Sequence, residues 1–223
     1  MLQIVTTADG SKTIFNPEVG ENYHSRHGAL QESRHVFLNS GLLYFLEKNA
    51  VSEVKVLEVG FGTGLNFLLT ADYCTQHRIN LSYTGIEAFP LPKEMLAETG
   101  YENHVSAALW QAFQKSYTAS LIGETPLNPH CRLAVSHSKV LDFQSSQQFD
   151  VLYFDAFAAI HQPEMWTDET LAHVCSFLKT GGVFVTYAIT GNLKRSMKSL
   201  GFSIEKAPGA PGKREMLRAV KIS

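Results

Sequence analysis

The 223-residue sequence has few of the features that mark secreted, membrane or metal-binding proteins. Its three cysteines lie far apart with no C-x-x-C pair, and its nine histidines form no H-E-x-x-H motif, so it predicts neither a disulfide framework nor a metal site. The amino terminus lacks the basic start and apolar centre of a secretion signal, and no apolar run approaches the roughly 18 residues of a membrane span. We therefore expect a cytoplasmic protein without a membrane partner or a metal.

An excess of charge is also missing, since the formal net charge is only −2. With 44% hydrophobic and 18% charged residues, the composition excludes disordered and fibrous classes and favours one compact globular unit. The charge is nevertheless uneven: residues 191–223 carry +6, so the preceding 190 residues carry −8. Such an end can bind the phosphates of a nucleic acid, but charge alone favours a solvated face.

Short apolar runs alternate with helical patterns along most of the chain. We predict buried strands at residues 54–59, 81–86, 132–136, 149–154 and 183–189, with Thr180-Gly181-Gly182 capping the helix before the last of them. This alternation predicts an α/β fold with a doubly wound, mostly parallel sheet. Residues 202–206 and 215–222 should close it as an antiparallel pair. Residues 1–53 are predicted to form a hairpin and a helix (29–48), a lid packed on the 54–223 core within one structural unit.

The strongest local motif is Glu58-Val59-Gly60-Phe61-Gly62-Thr63-Gly64, which follows the first buried strand. Its glycine spacing does not fit the G-x-G-x-x-G pattern of dinucleotide sites. The Glu58 carboxylate would repel a pyrophosphate but attract a cationic sulfonium or ammonium group.

A second acid, Glu87, ends the next strand, where a carboxylate accepts both hydrogens of a ribose diol. Together the two features resemble the S-adenosylmethionine site of class I, Rossmann-like methyltransferases. The residues predicted to bind this donor are Glu58, Gly60, Gly62, Gly64 and Glu87.

Asp155 follows the strand at residues 149–154, beside the expected position of the donor's methyl group in such a fold. A carboxylate there can accept a hydrogen bond from an amine and turn the nitrogen lone pair toward the methyl group. We predict that Asp155 is the catalytic residue and that Phe157 faces a flat base.

Several longer segments resemble the methyltransferase part of bacterial MnmC: GENYHS (20–25), GALQESRHVF (28–37), LEVGFGTGLN (57–66), DAFA (155–158), PEMW (163–166) and GKREML (212–217). The resemblance implies S-adenosylmethionine-dependent N-methylation of 5-aminomethyl-(2-thio)uridine at the tRNA wobble position. The product would be 5-methylaminomethyl-(2-thio)uridine. The chain is too short to include a flavin oxidase half, so it resembles the stand-alone, MnmD-type form and is expected to need no flavin.

This resemblance gives further residues a role. Tyr23 and His24 are expected near the donor and substrate, while Lys213 and Arg214, with Lys194 and Arg195, would bind phosphates around the everted uridine of the anticodon loop.

The chain also departs from the family pattern. Ala159 replaces a proline, and residues 135–138 offer no acid for the adenine amino group, which leaves Asp142 as the candidate.

Two other functions remain open from the sequence. One is a methyl- or aminopropyl-transferase of the same fold that acts on a small amine, which the acidic body of the chain would suit. The other is a non-catalytic module that binds a nucleoside or RNA. The sequence does not define the tRNA set, the need for the 2-thio group or the oligomeric state.

Overall fold

The predicted alternation folds into a central sheet with helices on both faces. The computed structural model describes residues 1–222. Within that range the strands are β1 Gln3–Thr6, β2 Lys12–Asn16, β3 Glu21–Asn22, β4 Glu53–Val59, β5 Asn80–Glu87, β6 Thr125–Asn128, β7 Cys131–His137, β8 Phe149–Phe154, β9 Leu178–Thr186, β10 Phe202–Pro208 and β11 Glu215–Lys221. The helices are α1 (residues 29–48), α2 Leu65–Gln76, α3 Lys93–Ala97, α4 Ala107–Ser120, α5 Asp168–Ser176 and α6 Gly191–Ser199.

The eight strands of the main sheet lie in the order β10-β11-β9-β8-β4-β5-β7-β6. The five central strands are parallel, whereas β6 and the pair β10–β11 run antiparallel at the two edges. The predicted fold class, including the antiparallel C-terminal pair, is confirmed. Because β4 leads outward to β5 and β7 while β8 leads outward to β9 on the other side, the connections diverge between β4 and β8. This divergence creates a crevice at the carboxyl ends of those two strands.

Both faces of the sheet are buried, which explains the nearly continuous apolar runs in β4 and β8. Along β4, Val54 and Val56 pack into the core on one face, and Leu57 and Val59 pack into the core on the other. Helices α1, α2 and α4 cover the first face, and α5 and α6 cover the second.

Helix α1 contributes directly to the first of these cores. It is wider than an ordinary α-helix over Ser33–Leu43, and Val36, Phe37 and Leu42 are fully buried. At Gly41 a Cβ atom would lie 2.8 Å from the Tyr153 ring, so glycine allows the helix to approach the sheet closely. The division into an extension (1–53) and a core (54–223) stays a proposal, and α1 packs across it.

Three local predictions differ from the structure. Thr180-Gly181-Gly182 does not cap a helix: α5 ends at Ser176, and the glycines lie inside β9, where the pairing with β8 shifts register. Gly181 does have the left-handed φ of +81° that a cap would need, but it uses this φ in a bulge. Strand β9 spans Leu178–Thr186 rather than the predicted 183–189, and the edge strand β6 was not predicted.

Candidate active site

The carboxyl ends of the central strands open into a cavity of about 460 Å³, here called the donor cavity. It lies where the connections of β4 and β8 diverge, which is the usual ligand position in open α/β sheets. Its volume is within the range of cofactor sites. Seven of the eleven residues nominated from the sequence line it: Tyr23, His24, Gly60, Gly62, Glu87, Asp155 and Phe157.

The glycine loop brings main chain, rather than side chains, to the wall of the donor cavity. Gly60 and Gly62 have left-handed φ angles of +83° and +50°. A Cβ at Gly60 would lie 2.4 Å from the Asp155 carbonyl oxygen, and one at Gly62 would lie 2.7 Å from the Tyr23 ring. Gly64 does not line the cavity, contrary to the prediction. It precedes α2 and packs against Phe61 instead.

We expect Gly60→Ala to lower the free energy of unfolding by about 2–4 kcal/mol, because it adds a steric overlap to the cost of a left-handed φ. Gly10→Ala is the matched control, since Gly10 has a φ of +82° but no atom within 4 Å of the added Cβ. It should lose only about 1 kcal/mol. Urea denaturation of both variants measures the difference, and equal losses would contradict the close approach at Gly60.

Glu87, the last residue of β5, is held in place by main-chain donors. The Gly62 amide donates to Oε2 at 2.9 Å, and the Phe89 amide donates to Oε1 at 3.0 Å. Each carboxylate oxygen can accept a further hydrogen bond. Glu87 is therefore a pre-oriented acceptor on the wall of the donor cavity.

Asp155 lies in the same cavity, directly after β8. Its amide donates to the Val59 carbonyl oxygen at 2.9 Å, which ties this loop to the end of β4. Its Oδ2 accepts a hydrogen bond from Asn66 Nδ2 at 2.8 Å. Burial, and then the nearby Glu32 carboxylate, raise the pKa of Asp155 well above its usual value. A carboxylate with a raised pKa is a stronger base than an exposed aspartate.

Glu58, predicted to bind the donor, is not among the residues that line the donor cavity. It is 1% exposed, and its two oxygens accept hydrogen bonds from Tyr83 and Asn66. Burial and the neighbouring Asp155 raise its pKa. Glu58 is thus a buried residue behind the cavity wall, hydrogen-bonded to Asn66 and Tyr83.

Sequence reasoning missed Asn66. Its Nδ2 lies 2.8 Å from Glu58 Oε1 and 2.8 Å from Asp155 Oδ2, so it joins the two acids. The signal available in the sequence was a single polar residue among the apolar residues 65–69. The structure places it in the first turn of helix α2, where it is 3% exposed.

Two residues of the N-terminal segment, Tyr23 and His24, line another side of the donor cavity, next to Phe157. The Tyr23 and Phe157 rings meet edge to face with centroids 5.1 Å apart. His24 is buried, with Nδ1 at 2.9 Å from Thr13 Oγ1. Burial lowers its pKa to about 4, so its ring is neutral at pH 7.

A second cavity of about 300 Å³, here called the acceptor cavity, adjoins the first. The two share Tyr23, His24, Ala156, Phe157 and His161. The other charged residues in its wall include Glu21, Glu32 and Lys213.

Lys213 differs from its predicted role as an external phosphate ligand. Its Nζ is 2.7 Å from Glu32 Oε2 and 3.8 Å from the centre of the Tyr187 ring. The Tyr187 hydroxyl in turn donates to the Ala156 carbonyl oxygen at 2.8 Å. The sequence could not reveal this ion pair, because its members are 181 positions apart. Arg214 is exposed and lines neither cavity.

The other C-terminal bases divide into two groups. Arg218 pairs with Glu205, and Lys221 donates to main-chain carbonyl oxygens. Residues 191–223 contain eight basic residues. Within residues 1–222, five of them have neither an ion pair nor a side-chain hydrogen bond to a main-chain carbonyl: Lys194, Arg195, Lys198, Lys206 and Arg214. Three of these are on α6, which begins four residues after Tyr187 of the acceptor cavity.

Asp142, the candidate for the adenine contact, is exposed and does not line the donor cavity. Ser138 and Val140 from the same segment do. Over residues 1–222, no helix has the length and apolar character needed to cross a membrane. In that part of the chain no group of three or more His, Cys, Asp or Glu residues is arranged to hold a metal ion.

Comparison with known proteins gives a consistent result. A sequence profile described as S-adenosyl-L-methionine-dependent methyltransferase matches residues 104–222, just over half of the chain. The tRNA 5-methylaminomethyl-2-thiouridine biosynthesis bifunctional protein MnmC of Magnetococcus marinus is 33% identical over 233 residues, covering 97% of this chain and 34% of that protein. The corresponding protein of Leptospira borgpetersenii is 31% identical over 204 residues, covering 87% and 31%. The resemblance to the methyltransferase part of MnmC is confirmed, and the chain spans about a third of the length of these relatives.

Two solved structures share the fold. MNMC2 from Aquifex aeolicus superimposes with a TM-score of 0.79 at 22% identity, covering 99% of this chain and 70% of that one. The sugar N-methyltransferase KedS8 from a Streptoalloteichus species gives a TM-score of 0.52 at 12% identity, covering 86% and 87%.

Proposed function

The chain belongs to the S-adenosyl-L-methionine-dependent methyltransferase family, and we propose that it N-methylates 5-aminomethyl-(2-thio)uridine at the tRNA wobble position, in the cytoplasm. The names of the MnmC relatives support this substrate, since they refer to 5-methylaminomethyl-2-thiouridine biosynthesis in tRNA. The observation that carries the proposal is the position of Asp155, in the donor cavity and next to the Ala156-Phe157 wall shared with the acceptor cavity.

The donor cavity fits S-adenosylmethionine in its chemistry. Gly60 and Gly62 leave main chain free at its wall, where side chains would collide with Asp155 or Tyr23. Glu87 offers two fixed carboxylate oxygens to a ribose diol. When bound, this donor supplies an electrophilic methyl group on a positively charged sulfur.

The acceptor cavity supplies the complementary chemistry for an aminated base. Its wall contains two carboxylates, Glu21 and Glu32, and two cations, Arg26 and Lys213. Because Glu32 is already paired with Lys213, Glu21 is the carboxylate that suits an amine that is cationic in water. Lys213 provides ammonium hydrogens for the carbonyl oxygens of a pyrimidine. The Tyr23 and Phe157 rings line both cavities, where an aromatic ring can face a flat base.

Asp155 would hold the reacting nitrogen. An amine that arrives as an ammonium ion first releases one proton to water. The Asp155 carboxylate then accepts a hydrogen bond from the neutral amine and directs the lone pair at the methyl carbon. The new N–C bond forms as the C–S bond breaks, and the resulting secondary ammonium transfers its extra proton to Asp155. The raised pKa of this carboxyl favours that last step. A site closed to water also favours the reaction, because positive charge disperses as the methyl group moves.

The exposed bases of α6 would bind the RNA backbone. Arg195→Ala combined with Lys198→Ala should weaken tRNA binding and reduce the slope of log K against log salt concentration by about 1.5, since two phosphate contacts are lost. Filter binding between 50 and 300 mM salt measures this slope. Lys115→Ala, an exposed lysine on α4, is the control and should leave the slope unchanged. An unchanged slope in the double variant would remove α6 from the interface.

The decisive experiment incubates the protein with labelled S-adenosylmethionine and tRNA from cells that lack this activity. Mass spectrometry of the digested nucleosides should reveal 5-methylaminomethyl-(2-thio)uridine. Absence of this nucleoside, with labelled donor bound and tRNA present, would contradict the proposal.

The Glu21 carboxylate in the wall of the acceptor cavity also favours a second candidate, a small cationic amine. The two differ in salt dependence, because tRNA methylation should fall steeply with ionic strength whereas small-amine methylation should not.

A further inference from the structure

Four side chains form a continuous hydrogen-bonded row beneath the donor cavity, here called the carboxylate tether. The Tyr83 hydroxyl donates to Glu58 Oε2 at 2.8 Å, and Asn66 Nδ2 donates to Glu58 Oε1 and to Asp155 Oδ2, each at 2.8 Å. The row connects β5, β4, α2 and the loop after β8. Only its last member, Asp155, lines the donor cavity.

Few other residue types at position 66 could make the two hydrogen bonds that Asn66 makes. Its side-chain amide has two hydrogens, and the two carboxylates take both of them. An aspartate or a leucine there would leave the carboxylates without a common donor. With one oxygen held by Asn66, the remaining Oδ1 of Asp155 is the atom left for the substrate amine.

The buried side-chain amide of Asn66 is energetically unfavourable in one respect. In the described part of the chain, no donor reaches the buried Oδ1 of Asn66. A buried acceptor without a partner is unfavourable, and an apolar side chain of similar size would avoid it. A role in packing alone does not account for this residue.

We propose that Asn66 and Glu58 are positioning residues, which hold the Asp155 carboxylate in the orientation needed to accept the substrate amine. The inference rests on the proposed function of Asp155. Glu58, predicted from the sequence to touch the donor, acts instead through Asn66.

Because charged groups surround Asp155, the effect of the carboxylate tether can be measured as a shift in the pKa of Asp155. Titratable and charged groups reach Asp155 from every side: Glu58 on β4, Glu32 on α1, Glu21 on β3, Lys213 before β11, Tyr83 on β5 and Tyr187 after β9. The amide of Asn66 favours the ionised form of Asp155. Asp155 disfavours the ionised form of Glu58, and because this repulsion is mutual, Glu58 disfavours the ionised form of Asp155 as well. Changes at these two positions should therefore move the titration of Asp155 in opposite directions.

The test compares three tether variants with one control. Asn66→Asp removes the shared donor and adds a like charge, so kcat should fall about 100-fold. The acid limb of its pH profile should move to higher pH. Glu58→Gln keeps an acceptor for Asn66 but removes a negative charge, so the limb should move to lower pH. Tyr83→Phe removes a donor that stabilises the ionised form of Glu58, so it should move the limb in the same direction as Glu58→Gln, but less.

Tyr153→Phe is the control, because this buried hydroxyl pairs with Thr70 outside the tether. It should leave the pH profile in place. The dissociation constant for S-adenosylmethionine should stay within about threefold in all four variants, since none of the four substituted residues lines the donor cavity.

A carboxyl ¹³C NMR titration of Asp155 in the folded protein gives a readout that needs no turnover. If Glu58→Gln folds and leaves both this titration and the pH profile unchanged, the inference is overturned even when Asn66→Asp fails to fold. If the unaltered protein forms no methylated nucleoside, the proposed function fails. The NMR titrations then still test whether Asn66 and Glu58 control the titration of Asp155.

Discussion

Asp155→Asn should reduce the rate of methyl transfer by about 10³-fold while changing the affinity for S-adenosylmethionine less than threefold. The substitution keeps the size of the side chain and an oxygen that can accept from Asn66. It removes the negative charge that orients the amine and the base that takes its proton. Single-turnover transfer to tRNA and calorimetric titration with the donor measure the two quantities separately.

Asp150→Asn is the control for this experiment. Asp150 is in the same strand, β8, but near its amino end, where it accepts from the Lys55 amide and pairs with Lys179. This variant should turn over at close to the normal rate. If Asp155→Asn did so as well, Asp155 would be only a structural residue at the end of the strand.

Glu87→Ala should raise the dissociation constant for S-adenosylmethionine by about 10–100-fold. It removes the acceptor proposed for the ribose diol and leaves the Gly62 and Phe89 amides without their partner. Glu87→Gln keeps one carbonyl oxygen and should lose less affinity. Isothermal titration with S-adenosylmethionine and with S-adenosylhomocysteine measures both variants.

Here the control is Glu124→Gln, an acid that pairs with Arg132 on the surface near the edge strand β6. Its donor affinity should be unchanged. The ribose contact would be refuted if Glu87→Ala bound both ligands as tightly as the unaltered protein.

The regular part of the fold could be predicted from the sequence because its signals are local. Strand β8 at Phe149–Phe154 begins and ends where the apolar pattern predicts. The glycines of β9 were misplaced, because a left-handed φ serves a helix cap and a strand bulge equally. Only the pairing with β8 distinguishes the two.

The site was partly predictable for the same reason. Gly60, Glu87 and Asp155 each end or directly follow a parallel strand, so the fold class alone brings them to one edge of the sheet. The roles of Glu58 and Lys213 could not be inferred in this way. One points into the interior toward Tyr83, and the other reaches a glutamate far away in the chain.

Order along the chain therefore determined the alternating strands and helices, the glycine loop and the acids at the strand ends, since each depends on neighbours within a few residues. The folded chain alone decided which acids face the cavity and which support them from below. Alternate side chains of a strand point to opposite faces, and the partners of Glu58, Asn66 and Lys213 come from distant segments. Such contacts depend on how the layers pack, and no local pattern encodes them.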